Sequence, residues 1–162
     1  MRFSNYVLIF LLLMLSISGI MGGYSLISSP DGLKLSMPTT YLANTPFRNY
    51  LVPGIILFLF MGILPIIAVY GMMNHRKSRV FEILNIYKDK HWSYAYSIYA
   101  GIILIFWIDF QIALIGYQLA VQFVYAILGV LIIIAALLPA NIQYALNTEN
   151  IDKDKNHSKR NR

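Results

Sequence analysis

Four long apolar stretches fill most of this 162-residue chain, and the charged residues lie in the gaps between them. A helix crosses the hydrocarbon core of a bilayer with about 20 mainly apolar residues, so each stretch is long enough to span one. Inside a bilayer the backbone polar groups must be bonded within the protein, which favours helices. The pattern therefore predicts an all-α fold, an integral membrane four-helix bundle.

The predicted spans are about 6–23, 51–72, 95–117 and 119–139, and with their connections they make residues 1–146 a single transmembrane domain. Residues 147–162 are polar and basic, which predicts a disordered cytoplasmic tail. Only 12% of the chain is charged, about half of the usual share of roughly 25%. The first stretch also fits a cleavable signal peptide, but its apolar character continues through Ile20 and Met21, which favours a retained helix.

The positions of the 13 Lys and Arg residues predict the orientation of the chain. Only Lys34 and Arg48 lie between spans 1 and 2, and none lies between spans 3 and 4; the others flank the N-terminus, the second loop and the tail. Because cytoplasmic segments are enriched in Lys and Arg, we expect both termini in the cytoplasm, N-in and C-in, in the cell (plasma) membrane. The basic clusters favour anionic lipid at the cytoplasmic face, and no motif indicates nucleic acid.

The extracytoplasmic loop between spans 1 and 2 carries strong turn signals. Residues 29–32 combine Pro30 with Gly32, which is typical of a tight turn. Residues 33–37 then alternate between apolar and polar with a period of two, as a half-buried strand does. We therefore expect an ordered loop that contains a small β-hairpin. Beyond the second loop, His91 and Trp92 predict an aromatic belt where span 3 enters the membrane.

Asp109 is the one acidic or basic residue inside a predicted span. An ionisable group at that depth is expensive and suggests a functional site, here for a proton or cation. The alternative is structural: a protonated carboxyl, or one paired with Lys34 or Arg48 of the first loop. The structural interpretation is favoured, since a single acid makes a poor relay.

Trp107 and Gln111 lie four residues apart and share one face of span 3, whereas Asp109 points roughly the opposite way. That face can line a polar pocket under the first loop, although amides in membrane bundles more often bond between helices. Asp109, Gln111, Trp107 and Arg48 together form the candidate polar membrane site. The chain has no cysteine and no nucleophile motif. We therefore predict no catalytic residue, no cofactor and no metal.

A set of turn and cap residues runs through the first seventy residues and span 3. These residues are Gly22, Gly23, Pro30, Asp31, Gly32, Met37, Pro38, Thr45, Pro46, Phe47, Tyr50, Pro53, Gly54, Trp107 and Gln111. On them the chain resembles a family of small bacterial membrane proteins with four transmembrane helices and no assigned function. The resemblance implies the same four-helix architecture and carries over no activity. Asp109 lies outside the shared pattern.

The expected role is a non-enzymatic accessory or interaction subunit that contacts membrane lipid and associates with itself or with a membrane protein partner. One alternative is a small oligomeric transporter or channel that uses Asp109 and Gln111. A second alternative is an intramembrane enzyme acting on lipid. This enzyme would need polar groups converging in one cavity, for which Tyr41 and Arg48 are the further candidates.

Overall fold

The computed structural model describes residues 3–43, 45–74, 79–87, 89–117, 120–143 and 145–146. Four helices in these ranges are long and apolar enough to cross a membrane. They are α1 (Phe3–Ser28), α2 (Leu51–Asn74), α3 (Trp92–Ile115) and α4 (Ala120–Leu137). The described residues contain no strand, so the prediction of an all-α fold with four such helices is confirmed.

The four helices pack as an up-and-down bundle. α1 contacts α2 and α4, and α3 contacts the same two helices, so α1 and α3 stand diagonally across the bundle. The α1–α2 loop and the α3–α4 turn lie at one end, which we call the loop face. The start of α1, the α2–α3 connection and the end of α4 lie at the other end, the termini face.

Small residues bring α1 and α2 into backbone contact. A Cβ atom placed on Gly19 would lie 2.4 Å from the carbonyl carbon of Met61. Beside this contact, the buried Ser16 Oγ donates a hydrogen bond of 2.6 Å to the carbonyl of Gly62. In a bilayer an apolar side chain gains little by moving from lipid to a neighbouring helix. Close packing and hydrogen bonds between helices therefore stabilise membrane helix pairs.

α2 contains a π-helical segment, Leu57–Ile63, between two α-helical parts. Pro65 lies two residues after the end of this segment. A proline has no N–H to donate and its ring disturbs the carbonyl four residues earlier, here that of Met61. The wider π turn thus lies where a regular hydrogen-bond ladder could not continue, and it widens α2 beside the interior of the bundle.

Side-chain and glycine caps define both ends of α3. The helix begins at Trp92 because His91 Nδ1 accepts the N–H of Ser93 at 3.4 Å. It ends at Gly116, whose φ of 73° only glycine adopts readily. The helix therefore starts three residues before the predicted span of 95–117.

The predicted β-hairpin of the first loop does not form. α1 continues through Ser28, and Leu33–Leu35 and Thr39–Leu42 are 3₁₀ turns. The Asp31 carboxylate accepts the N–H of Leu33 at 3.1 Å, and the Gly32 carbonyl accepts the N–H groups of Leu35 and Met37. The N–H groups that a strand would use are therefore bonded within the turn, and the alternation over 33–37 belongs to that turn.

Several residues used in the orientation argument lie outside the described ranges. They are Arg2, Arg76, Lys77, Lys88 and the basic residues of the tail 147–162.

Candidate functional site

The loop-face half of the bundle encloses a cavity of about 340 Å³. All four long helices contribute to its wall, and Leu35 and Met37 of the first loop cover its loop-face end. The aliphatic and thioether side chains of the long helices that line it are Leu15, Leu26, Leu57, Met61, Leu104, Ile108 and Val121. The volume falls at the lower end of the roughly 300–1,000 Å³ of typical ligand sites.

The local sequence explains why this half of the bundle is open. Ser18, Gly19 and Gly22 line the cavity from α1, and they fill little of the space that a longer side chain would take. Leu57 and Met61 of the π segment line it from α2. Toward the termini face the interior is closed by buried apolar side chains of all four helices, such as Leu8, Leu12, Ala68, Ala100 and Ile132.

A smaller cavity of about 60 Å³ adjoins the first, between the loop and α3. It is lined by Phe47 and Tyr50 of the loop and by Phe110 of α3. Trp107 and Gln111 line both cavities, so the two form one apolar space with these side chains at their junction.

Few polar groups reach this space, and in the described residues none that line it is charged. The Trp107 Nε1 atom is buried and has no hydrogen-bond acceptor among the described residues. Gln111 is half-buried, and its amide makes no hydrogen bond in the part of the chain that the structure describes. Ser18 Oγ donates to the Leu15 carbonyl of its own helix at 2.9 Å, and Gln122 is buried. The site can therefore recognise a neutral acceptor group, and its shape suits an apolar molecule.

The structure brings together only two of the four predicted site residues. Trp107 and Gln111 line the cavity, whereas Asp109 and Arg48 line neither cavity. Arg48 is exposed in the first loop, and Asp109 is exposed on the outer side of α3. Among the described residues, the Asp109 carboxylate makes no hydrogen bond or ion pair.

The loop that covers the cavity is held by Tyr50. Its N–H donates to the Pro30 carbonyl at 2.8 Å, and its Oη donates to the Pro38 carbonyl at 2.9 Å. Burial and the neighbouring Tyr41 raise the pKa of Tyr50, so the phenol stays a donor. Gly32, with φ of 79°, lies against the Tyr50 ring, where a Cβ atom would come within 2.8 Å of it.

The turn at Asp31 supports the same loop. The Ser29 hydroxyl donates to the Asp31 carboxylate. This bond, together with the bond from the Leu33 N–H, lowers the pKa of Asp31 below its usual value. The turn and Tyr50 thus hold Leu35 and Met37 over the cavity.

A cluster of buried polar side chains at the termini face was not predicted from the sequence. Residues 91–98 are all buried, so the aromatic belt expected at His91 and Trp92 is instead part of the interior. His91 Nδ1 lies 2.9 Å from Ser93 Oγ, and Ser97 Oγ donates to the Ser93 carbonyl at 2.9 Å. The Trp92 ring occupies the space beside Gly71, where a Cβ atom would lie 2.3 Å from it. The spacing of Ser93 and Ser97 by one helical turn was the available signal.

Two further buried amides lie near this end. Asn85 Nδ2 donates to the Lys90 carbonyl at 2.9 Å and to Glu82 Oε2 at 3.0 Å. Asn5 is fully buried, and within the described part of the chain neither its Oδ1 nor its Nδ2 has a hydrogen-bond partner. Such an amide is exceptional in a folded interior.

These groups serve packing and capping in the described structure. Among the described residues, no three His, Cys, Asp or Glu side chains lie close enough to hold a metal ion. The loop-face cavity is therefore the candidate site, and its chemistry is that of binding an apolar molecule. No protein-family model, no curated protein and no solved structure matches this chain.

Proposed function

We propose that the chain is a multi-pass protein of the plasma membrane with both termini in the cytoplasm, and that its role is non-enzymatic. It acts as an accessory subunit that associates with another membrane protein. Four long apolar helices support the membrane placement, and the distribution of Lys and Arg supports the orientation. The observation that carries the role is the position of Asp109.

Asp109 stands on a surface that faces lipid in a single copy of the bundle. Phe106, which lies three residues before it on the outer side of α3, is 71% exposed, and the adjacent Phe110, which also lines the smaller cavity, is 44% exposed. The carboxylate lies six residues before the end of α3 at Ile115, or about 9 Å at 1.5 Å per residue. An acid in the bilayer interior costs up to about 2.5–3.5 kcal/mol on insertion scales, so this position favours an interface that covers the acid.

The surface around Asp109 indicates the chemistry of the partner. Ile102 and Phe106 continue the exposed apolar side of α3 toward the termini face. A membrane helix that presents a Lys or Arg, or an uncharged hydrogen-bond donor, at the depth of Asp109 would cover both the apolar stripe and the acid. Polar residues inside membranes pair with one another in this way.

The two alternative roles find less support in the geometry. A transport path that uses Asp109 and Gln111 together would have to pass through α3, because Gln111 lines the cavity while Asp109 is on the outer side. A lipid-acting enzyme would need Tyr41, Arg48, Asp109 and Gln111 in one place. Of these four residues, Gln111 alone lines either of the two cavities described above.

Photocrosslinking in native membranes tests the interface. A photoreactive amino acid replaces Phe106, next to Asp109, and in a matched control replaces Met21, which is exposed on the diagonally opposite α1. We expect a discrete adduct from position 106 and none from position 21. The adduct should persist in Asp109→Glu, which keeps the charge, and disappear in Asp109→Leu.

The mass of the adduct distinguishes the outcomes. A mass other than twice that of the chain supports a distinct partner, whose cationic or donor residue should lie at the crosslinked site. A mass of twice the chain would replace the proposal with self-association. Absence of an adduct, or an adduct that is unchanged in Asp109→Leu, would overturn the interface.

A further inference from the structure

We infer that the loop-face cavity binds one acyl chain of a membrane glycerolipid, with the ester carbonyl at Trp107 and Gln111. This inference is independent of the partner interface on the outer side of α3. It rests on the cavity's length, its lining, its opening and its two unpartnered polar groups.

The length of the cavity matches one leaflet of a bilayer. Its lining on α1 extends from Leu15 to Leu26, which is about 16 Å at 1.5 Å per residue. The hydrocarbon core of a bilayer is about 30 Å thick. A single chain lying parallel to α1 therefore fills the cavity from the loop to near the midplane.

The lining favours hydrocarbon over water. A buried water needs two to four polar partners, and apolar cavities stay dry. In the deep part of the cavity the lining residues Leu15, Met61 and Leu104 are buried and apolar. In a bilayer the molecules available to fill such a space are lipid chains.

The opening lies on the side of α1 and α4. Gly22 of α1 and Val121 of α4 line the cavity and are partly or largely exposed, whereas Met61 of α2 and Leu104 of α3 are buried. Leu35 and Met37 cover the end toward the water. A chain thus enters sideways from the lipid between α1 and α4.

The polar groups of the lining indicate where the ester end of the acyl chain lies. Gln111 lies at the loop-face end of the α3 lining, one turn beyond Trp107. The indole N–H and the amide NH₂ are donors, and the described lining offers no cation for a phosphate. A neutral acceptor such as an ester carbonyl satisfies both donors, while the phosphate of the same lipid remains in the interface outside the cavity.

Photolabelling of the wild type, and of a variant whose cavity is filled by a larger side chain, tests whether a lipid chain occupies the cavity. The protein is reconstituted in phosphatidylcholine vesicles that contain a diester phospholipid with a photoreactive acyl chain, and the adducts are mapped by mass spectrometry. We expect enrichment at 104–111 over the outer surface of α4. Ser18→Phe, which fills the cavity, should lower this labelling about tenfold, equivalent to about 1.4 kcal/mol.

Ser25→Phe is the matched control for Ser18→Phe. Ser25 is on the same helix, donates to the carbonyl of its own helix at 2.8 Å and lines neither cavity, so its variant should label as the wild type does. Helical circular dichroism and elution volume establish that both variants fold. Labelling of Ser18→Phe equal to that of the wild type, or no enrichment at 104–111 in the wild type, would overturn the acyl-chain site.

A second variant tests the contact with the ester and remains informative if Ser18→Phe fails to fold. Labelling of the wild type is measured in competition with a diester lipid or with a diether lipid, which has no ester carbonyl. The diester should compete about fivefold better, because this factor corresponds to one ordinary hydrogen bond. In the double variant Trp107→Phe/Gln111→Leu, which keeps an aromatic ring at position 107 and removes both donors, the two competitors should be equal. A preference that survives in this variant, or is absent in the wild type, would refute the carbonyl contact.

Discussion

Replacing Gly19 by alanine should separate α1 from α2. The new Cβ would lie 2.4 Å from the carbonyl carbon and 2.6 Å from the carbonyl oxygen of Met61, and 2.7 Å from the amide nitrogen of Gly62. These are backbone atoms, so no side-chain rotation relieves the overlap. The helices must move apart, and the Ser16 hydrogen bond to Gly62 then lengthens.

The size of the effect follows from three contributions. Overpacking a tight interior costs about 1–3 kcal/mol. A lost interhelical hydrogen bond in a membrane protein costs about 0.6 kcal/mol, and alanine gains about 0.8–1 kcal/mol over glycine in helix propensity. The free energy of unfolding of Gly19→Ala should therefore fall by about 2 kcal/mol.

Gly22→Ala is the matched control for this substitution. There the new Cβ would meet only Leu57 Cδ2, at 3.1 Å, and the end of that side chain can rotate away. The control should be as stable as the wild type or up to about 1 kcal/mol more stable. Reversible unfolding in mixed micelles, with increasing dodecyl sulfate, measures both variants. If Gly19→Ala and Gly22→Ala unfold at the same detergent fraction, the backbone contact between α1 and α2 does not exist as described.

Two further perturbations test other parts of the structure. Asn5→Leu removes a fully buried amide whose polar atoms have no partner in the described ranges, so the same unfolding assay should show a gain of about 1–3 kcal/mol in the free energy of unfolding. A loss would mean that a bound molecule satisfies the amide. In the folded chain the pKa of Asp31 is lowered, because the turn stabilises the ionised carboxylate. The stability that this carboxylate adds is therefore present above the usual pKa of 3.8, decreases as the pH falls below 3.8 and is lost below the folded pKa. An NMR titration of this carboxyl should give a midpoint below 3.8, and a midpoint at or above that value would contradict the Ser29 and Leu33 bonds.

The sequence was sufficient to predict the four helices, because the length of an apolar run determines whether a segment can span a bilayer. It also predicted that Trp107 and Gln111 share a face while Asp109 points away, since this separation follows from the helical period alone. What it could not decide is whether this face lines a cavity or bonds to a neighbouring helix. That depends on neighbours distant in the chain, such as Met37 of the loop.

The errors also have physical causes. Alternation over 33–37 resembles a strand, but the turn at Gly32 and the Asp31 carboxylate bond the N–H groups of this segment locally. The sequence around Trp92 resembles an interfacial belt, but Gly71 on α2 leaves space for the ring inside the bundle. For Trp92 the missing information was a contact with a residue distant in the chain, whereas for 33–37 it was a set of local bonds that the alternation does not reveal.

The π segment of α2 has a consequence for how the chain tolerates changes in length. A π turn holds more residues per turn than an α turn, so Leu57–Ile63 can lose one residue by contracting to an α-helix that lacks only the hydrogen bond that Pro65 cannot donate. The same deletion within α1 would rotate every later side chain of that helix by about 100° and turn Gly19 away from α2. Insertions and deletions in related chains should therefore concentrate in α2 rather than in its neighbours.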